Sequence, residues 1–321
     1  MKVSSAHLLR AESMFLHLEL GGLAQVYLMI EGLNAAGSIK WKPALAMIER
    51  ALEDEPVDPA WTRFIESSSG SLGVALAAIC ASKGLGFTCV VDPNVNRDSL
   101  REMQMFGADI VHVDERNVNG GYLGTRIAYI ENALREDDGL RWLNQYASQS
   151  NPDSHARLTA PAILREFERV NGLVVGVGTG GTLAGCAAAF RDASPATRIV
   201  AVDTQGSVTF GDRPGPRFIP GLGTSCRPAI MDNVQPDCVV HIPEWQAVHE
   251  CRLFALRHGL LVGGSTGSVL AALRRVAPSF RKDDVVVAIS PDLGGRYLNT
   301  VYDDAWVSAH GLDAPLVYEA E

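Results

Sequence analysis

Short runs of β-branched residues alternate along the chain with longer segments of helical periodicity. The runs lie at residues 26–30, 63–66, 87–91, 110–113, 173–177, 198–202 and 285–289, and the helical segments at 42–55, 72–83, 97–106, 119–135, 156–169 and 182–193. Strands separated by helices are joined by crossover connections and pair in parallel, so this alternation predicts an α/β fold. No repeat period of about 20–50 residues occurs, which argues against a solenoid.

The chain is long enough for one large domain or for two lobes that share a cleft. It has 321 residues, of which 47% are hydrophobic, so it can bury a sizeable core. Turn-forming residues interrupt the pattern of strands and helices near residues 34–37 and again near 137–139. These interruptions predict a smaller lobe at residues 35–141, inserted into a larger lobe formed by residues 1–34 and 142–321.

The charge distribution favours a small molecule as partner. The net charge is -9 and no Lys/Arg block occurs, which argues against nucleic acid and anionic membranes, since both require clustered positive charge. No stretch approaches the roughly 20 apolar residues that cross a bilayer, and residues 1–20 lack the apolar core of a signal peptide, so we expect a cytoplasmic protein. The six cysteines lack metal-binding spacing, so we expect neither a metal site nor disulfides.

The strongest local signal is a glycine-rich turn between a β-branched run and an Ala-rich helical segment. It comprises Gly178, Thr179, Gly180, Gly181 and Thr182. Such a turn presents backbone N–H groups, hydroxyls and a helix N-terminus to an anion, and glycine lets the backbone approach phosphate oxygens closely. The turn is neither a P-loop nor a well-ordered G-x-G-x-x-G. It predicts a phosphate site, with a tight turn that binds nothing as the alternative.

Two further turns have the same strand-to-helix design. Residues 67–73 (SSSGSLG) place four hydroxyl groups at a helix start, which suits a carboxylate, although Ser also caps helices that bind no ligand. Residues 263–267 (GGSTG) again precede a helical segment, and ordinary capping by Ser265 or Thr266 is the alternative there. The recurrence of such turns in one chain favours anion binding over simple capping.

Lys40 follows Gly37 and Ser38 and precedes a largely apolar helical segment, with Lys42 two residues further on. A lysine at such a position can simply extend its ammonium group to solvent. Desolvation, however, lowers the pKa of a lysine and lets it form a Schiff base with an aldehyde. Together with the phosphate turn, Lys40 therefore suggests a site for a phosphorylated aldehyde cofactor.

Taken together, these four segments resemble the fold-type II pyridoxal-phosphate enzymes, specifically the cysteine synthase (O-acetylserine sulfhydrylase) family. The resemblance covers nearly the whole chain and includes a late Gly-x-Arg-Tyr-Leu motif at residues 294–298. It implies a tryptophan synthase β-like fold of two open twisted α/β lobes, with pyridoxal 5'-phosphate in the cleft between them. The smaller lobe would carry the carboxylate-binding loop and the larger lobe the phosphate loop. A homodimer is also implied.

The resemblance assigns roles to individual residues. Lys40 would carry the cofactor as a Schiff base and transfer the Cα proton, and Ser265 would bond the pyridine nitrogen. The cofactor phosphate would be held by Gly178, Thr179, Gly180, Gly181 and Thr182, and the substrate carboxylate by Ser68, Ser69, Gly70, Leu72 and Gln145. Ser71 would meet the 3′-oxygen of the cofactor, at a position where the family usually has Asn. Residues 295–298 would be scaffold near the site.

Within the family, residues 31–42, 64–84, 87–94 and 119–130 resemble the N-(2-amino-2-carboxyethyl)-L-glutamate synthases of the 2,3-diaminopropionate pathway. That branch serves siderophore and antibiotic biosynthesis. The implied reaction is a β-replacement in which O-phospho-L-serine loses phosphate to give an aminoacrylate and L-glutamate adds to it. The alternatives are a cysteine synthase that uses acetylserine or phosphoserine, a cysteate synthase, and a catalytically silent regulatory relative.

A phosphoserine enzyme requires a cation near the leaving phosphate, and a guanidinium group can hold phosphate through two parallel hydrogen bonds. Arg217, four residues before Gly221, is the predicted phosphate ligand. Arg213 and Arg126 are the alternatives, and Arg126 could instead hold a carboxylate of glutamate. A solvated loop position is the alternative reading of Arg217. A nicotinamide-dependent dehydrogenase is disfavoured because no acidic residue follows a well-ordered G-x-G-x-x-G at about 20 positions.

Overall fold

A computed structural model of the chain describes residues 3, 5–8, 13–20, 24–54, 58, 61–116 and 121–314. Its strands are β1 (Phe15–Leu18), β2 (Gln25–Ile30), β3 (Arg63–Ser67), β4 (Gly86–Val91), β5 (Asp109–His112), β6 (Leu140–Trp142), β7 (Gly172–Gly176), β8 (Arg198–Thr204), β9 (Cys238–Ile242) and β10 (Val285–Ser290). Its α-helices are α1 (Trp41–Asp54), α2 (Ser71–Lys83), α3 (Arg97–Met105), α4 (Leu123–Glu136), α5 (Ser150–Ser154), α6 (Ala160–Glu166), α7 (Gly181–Ala193), α8 (Glu244–His258), α9 (Gly264–Val276) and α10 (Asp304–Ala309).

The strands form two separate sheets. The larger sheet has the order β1-β2-β10-β7-β8-β9, and the smaller has the order β5-β4-β3-β6. Every neighbouring pair runs parallel except β1 and β2, which are antiparallel. The predicted α/β fold with parallel sheets is confirmed. The two sheets support the division into lobes at residues 35–141 and at 1–34 with 142–321, and these boundaries remain a proposal.

Helices cover both faces of the larger sheet, which explains why its strands read as continuous apolar runs. In β10, Val286 and Ala288 pack into one core cluster with residues of α8 and α9. The alternate residues Val287 and Ile289 pack into the opposite cluster with residues of α6 and α7. In the smaller sheet, α1 and α2 cover one face and α4 the other. Both faces of each sheet are therefore buried, and the polar strand ends remain available for a site.

The predicted elements agree with the structure in most places and differ in two. The expected helix at 156–169 is interrupted, because residues His155–Thr159 form a π-helical segment between α5 and α6, and α6 ends at Glu166. The expected helix at 119–135 begins at Leu123, and residues 119 and 120 lie outside the described residues. The expected helix at 42–55 corresponds to α1, with residue 55 outside the described residues.

No helix within the described ranges has both the length and the apolar character required to cross a bilayer.

Candidate active site

The ends of parallel strands from both sheets meet at a cavity of about 260 Å³. Ligands of open α/β sheets bind at the carboxyl ends of the strands, where the connecting loops diverge. The cavity is lined by eleven of the predicted site residues, namely Lys40, Ser68, Ser69, Gly70, Ser71, Leu72, Arg126, Gln145, Gly178, Thr179 and Ser265. An adjoining cavity of about 30 Å³ lies against Gly180, Gly181 and Thr182 and also touches Lys40. The structure therefore brings together residues that the sequence separates by up to 225 positions (265 − 40).

Lys40 lies at the bottom of this cavity, immediately before α1. Its position is fixed by the backbone, since the N–H of Ile39 donates to the carbonyl of Pro291 at 2.6 Å and Lys40 itself accepts from Ala44 at 3.0 Å. Burial lowers the pKa of Lys40 from its ordinary 10.5 to about 8, against the opposing effect of the nearby carboxylate of Asp292. A larger share of the amine is therefore neutral near physiological pH, which a nucleophilic lysine requires.

Lys42 has a different environment. Its Nζ atom donates to Oε1 of Glu31 at 2.5 Å and to Oγ1 of Thr159 at 3.0 Å. The exposed fraction of the Lys42 side chain is 19%, and it does not line the main cavity. Of the two lysines, Lys40 therefore has the position and the pKa of a cofactor-binding residue.

The turn at residues 178–182 connects β7 to the N-terminus of α7. Gly180 has a φ of 91°, a left-handed conformation that disfavours any side chain. A Cβ atom at Gly178 would lie 2.5 Å from the carbonyl oxygen of Gly221 in the opposite loop, so this position has no space for one. The bare backbone and the helix N-terminus together form a cradle for an anion. The donor set therefore fits the phosphate of pyridoxal phosphate.

Ser265 lies at the start of α9 and is held by a buried carboxylate that the sequence did not reveal. Its Oγ atom donates to Oδ1 of Asp292 at 3.2 Å, and the hydroxyl of Tyr297 donates to Oδ2 of the same residue at 2.5 Å. Burial raises the pKa of Asp292. Since the Ser265 proton is used by Asp292, the lone pairs of Ser265 are left for the cavity. The sequence did contain a feature that points to Asp292, because this residue lies just beyond the carboxyl end of the predicted strand at 285–289.

The Ser-rich loop between β3 and α2 is internally bonded. Ser68 Oγ accepts from the N–H of Gly73 at 3.0 Å, and Gln145 Nε2 donates to the carbonyl of Ser67 at 2.9 Å. Ser71 bonds the hydroxyl of Tyr297, which explains how a shorter residue than the family's Asn is accommodated. The loop faces the cavity at the N-terminus of a 13-residue helix, where a carboxylate is stabilised.

Arg126 projects from α4 into the same cavity and is only 7% exposed. Its Nη1 atom lies 3.3 Å from Oδ2 of Asp92 and donates to Oγ of Ser69 at 2.9 Å. Its Nε atom is buried and has no hydrogen-bond partner among the described residues. Arg126 brings a positively charged guanidinium group to the lining of the cavity, so it is suited to hold an anionic group of a substrate.

Arg217 differs from the other predicted site residues because it lines neither the main cavity nor the adjoining one. Burial lowers the pKa of Arg217, while the nearby carboxylates of Asp203 and Glu244 favour its charged form.

The loop that follows Arg217 is held by Glu244, which accepts hydrogen bonds from the N–H groups of Phe218 and Ile219. Arg217 thus lies behind the loop that contributes Gly221 and Gly223 to the cavity. The alternative, Arg213, is exposed.

The lysine, the anion cradle and the lobed α/β fold together define a pyridoxal-phosphate enzyme. The family model "Pyridoxal-phosphate dependent enzyme" matches residues 7–292, and the chain belongs to this family. The predicted cofactor is thereby confirmed.

Two curated relatives carry the name N-(2-amino-2-carboxyethyl)-L-glutamate synthase. The protein from Ralstonia nicotianae is 42% identical over 289 residues, which cover 90% of this chain and 85% of the relative. The protein from Cupriavidus metallidurans is 41% identical over 289 residues, which cover 89% of this chain and 84% of the relative. The resemblance to this branch, predicted from the sequence, is confirmed.

Solved structures agree with the fold. The O-acetylserine dependent cystathionine beta-synthase from Helicobacter pylori superposes with a TM-score of 0.86 at 24% identity, over 94% of this chain and 98% of the other. O-ureido-L-serine synthase superposes with a TM-score of 0.86 at 28% identity, over 96% of this chain and all of the other. The predicted fold class is confirmed.

Proposed function

We propose that the protein catalyses a β-replacement on O-phospho-L-serine with L-glutamate as the nucleophile, giving N-(2-amino-2-carboxyethyl)-L-glutamate. The observation that carries this proposal is the 42% identity to a synthase of that name over 90% of the chain. The guanidinium group of Arg126 in the cavity lining supports it, since glutamate brings carboxylates that sulfide lacks. The pathway to 2,3-diaminopropionate for siderophores or antibiotics, a homodimeric assembly and a cytoplasmic location belong to the same proposal.

Individual residues of the protein have separate roles in this reaction. Bound pyridoxal phosphate supplies an electron sink for the electrons of the broken Cα–H bond. Lys40, whose pKa is lowered, holds the cofactor and then removes the Cα proton of phosphoserine, while phosphate leaves from Cβ. The amine of phosphoserine would first displace Lys40 from the cofactor, and this frees the Lys40 amine to act as the base. The amine of glutamate would then bond Cβ, and Lys40 would return a proton to Cα. The loop at residues 67–72 would orient the carboxylate of phosphoserine throughout.

A competition experiment tests the proposal. The purified protein is incubated with phosphoserine and an equimolar mixture of glutamate, sulfide and sulfite, and the products are identified by mass. We expect the glutamate adduct as the main product. Cysteine or cysteate as the main product would contradict the glutamate assignment while retaining β-replacement. Absence of any product with the loaded protein would favour a catalytically silent relative, and Lys40→Ala serves as the inactive control.

The position of Arg217 predicts how its replacement affects kcat/KM for phosphoserine and acetylserine. Because its guanidinium lies behind the loop, we expect Arg217→Ala to lower kcat/KM for phosphoserine and for acetylserine by similar factors. The assignment of Arg217 as a phosphate ligand predicts instead a loss of about 2–3 kcal/mol for phosphoserine alone, the size of a charge-assisted hydrogen bond. Steady-state kinetics with both substrates separate the two outcomes, and Arg213→Ala on the exposed part of the same loop is the matched control.

A further inference from the structure

A chain of hydrogen bonds that the proposed reaction does not use runs behind the phosphate turn. Nζ of Lys42 donates to Oγ1 of Thr159 at 3.0 Å, and Oγ1 of Thr159 lies 3.0 Å from Nδ1 of His155. Nε2 of His155 in turn lies 3.2 Å from Oγ1 of Thr182. Thr182 lines the small cavity formed by the turn. These hydrogen bonds therefore connect the partly buried ammonium group of Lys42 to a hydroxyl group of the anion cradle.

The π-helical segment His155–Thr159 creates the middle of this chain. It places the side chains of His155 and Thr159 on one side, where both are 0% exposed, between α1 and α7. Lys42 belongs to α1 and Thr182 to the first turn of α7. Glu31 accepts from Lys42 at 2.5 Å and holds the ammonium group in place. These side chains and their hydrogen bonds thus link the three elements.

The types of donor and acceptor determine the direction of each bond. Lys42 can only donate, so Oγ1 of Thr159 accepts from it and keeps its own proton for Nδ1 of His155. Burial and the charges of Lys42 and Lys40 hold the pKa of His155 well below its usual value, so the ring is neutral. A neutral imidazole has one donor and one acceptor nitrogen. If Nδ1 accepts, Nε2 carries the proton and donates it to Thr182.

The opposite tautomer of His155, with the proton on Nδ1, leaves a hydroxyl group without a hydrogen-bond acceptor. If Nδ1 carried the proton, Thr159 would accept from both Lys42 and His155, and its own hydroxyl proton would have no acceptor among the hydrogen bonds of the described residues. Nε2 would then accept the proton of Thr182 and remove it from the cavity. A buried hydroxyl group without a partner costs free energy, so the tautomer with the proton on Nε2 is favoured.

We propose that Lys42, Thr159 and His155 are positioning residues that direct the hydroxyl proton of Thr182 into the phosphate cradle, so that Thr182 donates to the cofactor phosphate. Because His155 already donates to Oγ1 of Thr182, the threonine proton has the cavity as its free direction. The positive charge of Lys42 polarises the whole series of hydrogen bonds toward the anion, since hydrogen bonds in series strengthen one another. The geometry thus gives a role to the second lysine of the Lys40 segment.

The tautomer of His155 is the most direct test. Long-range ¹H–¹⁵N correlation spectra of the histidine-labelled holoenzyme report which ring nitrogen carries the proton. The chain has eight histidines, and His155→Gln identifies the relevant signal by its loss. We expect a neutral ring with the proton on Nε2. A proton on Nδ1, or on both nitrogens, would overturn the proposal. The tautomer is read from the unmodified protein, and the variant serves only to assign the signal.

Cofactor affinity provides a second, independent measurement. Pyridoxal lacks the phosphate, so the dissociation constants of the apoenzyme for pyridoxal phosphate and for pyridoxal isolate the phosphate contribution. We expect His155→Phe and Thr182→Val each to weaken binding of pyridoxal phosphate by about tenfold to a hundredfold, the range for a hydrogen bond to a charged group, with little change for pyridoxal. The double variant should be no weaker than Thr182→Val alone, because both changes remove the same bond.

His155→Gln is the matched control, because its amide nitrogen can replace Nε2 as the donor to Thr182 and should retain most of the affinity. Equal losses for pyridoxal phosphate and pyridoxal would indicate a merely structural role for His155. Additive losses in the double variant would indicate that the two residues act separately. Either result would overturn the proposal.

Discussion

Lys40→Ala is expected to abolish turnover, with a loss of at least about 10⁴-fold, because Lys40 is proposed both to attach the cofactor covalently and to transfer the Cα proton. The lowered pKa of about 8 makes roughly a tenth of the Lys40 amine neutral at pH 7, far more than for a solvated lysine. No neighbour can replace it, since the ammonium group of Lys42 is engaged by Glu31 and Thr159.

Reduction with borohydride followed by peptide mapping provides the measurement for this change. The unmodified protein should carry the reduced cofactor on Lys40, and the variant should carry it nowhere. Lys282→Ala, at an exposed lysine far from the cavity, is the control and should behave as the unmodified protein. A label on another lysine, or turnover that survives in Lys40→Ala, would mean that the cofactor lysine is misassigned.

Strands and helices can be predicted from the sequence where one continuous run of residues shows the pattern. Strands β2, β7 and β10 were recognised because burial on both faces makes each a continuous apolar run. Strand β6 was not predicted, since it has three residues and follows the charged residues Asp137 and Asp138. The π-helical segment at His155–Thr159 could not be predicted either, because its register depends on contacts with α1 and α7 that have no local signature.

The same distinction applies to the site. Lys40 and the turn at residues 178–182 can be recognised from the sequence because each motif is contiguous. The structure places them at adjoining cavities. Asp292 and Tyr146 also line the main cavity, yet each comes from a separate strand end and acquires meaning only through its neighbours in space. Arg217 was assigned to the cavity from its sequence position, whereas the carboxylate of Glu244 determines the path of its loop.

Arg126→Lys is expected to reduce kcat/KM for glutamate by roughly a hundredfold, corresponding to about 2–3 kcal/mol of lost charge-assisted hydrogen bonding. Lysine retains the positive charge opposite Asp92, so the buried carboxylate is not left unpaired, as it would be in Arg126→Ala. It lacks, however, the planar fork that can bind a carboxylate through two parallel hydrogen bonds. The loss should therefore fall on the ligand whose carboxylate uses this fork.

The two halves of the reaction distinguish substrate binding by Arg126 from support of the Ser69 loop, with which it is hydrogen-bonded. Phosphate release from phosphoserine without any nucleophile reports the first half, and formation of the glutamate adduct reports the second. If Arg126 holds glutamate, Arg126→Lys should leave the first half within a few-fold of the unmodified protein and slow only the second, because the proposed partners of the phosphoserine carboxylate are the loop and the α2 N-terminus. Arg135→Lys, at an exposed position on the same helix, should change neither half. Equal losses in both halves would mean that Arg126 acts through Ser69, and the glutamate carboxylate would then need another partner in the cavity.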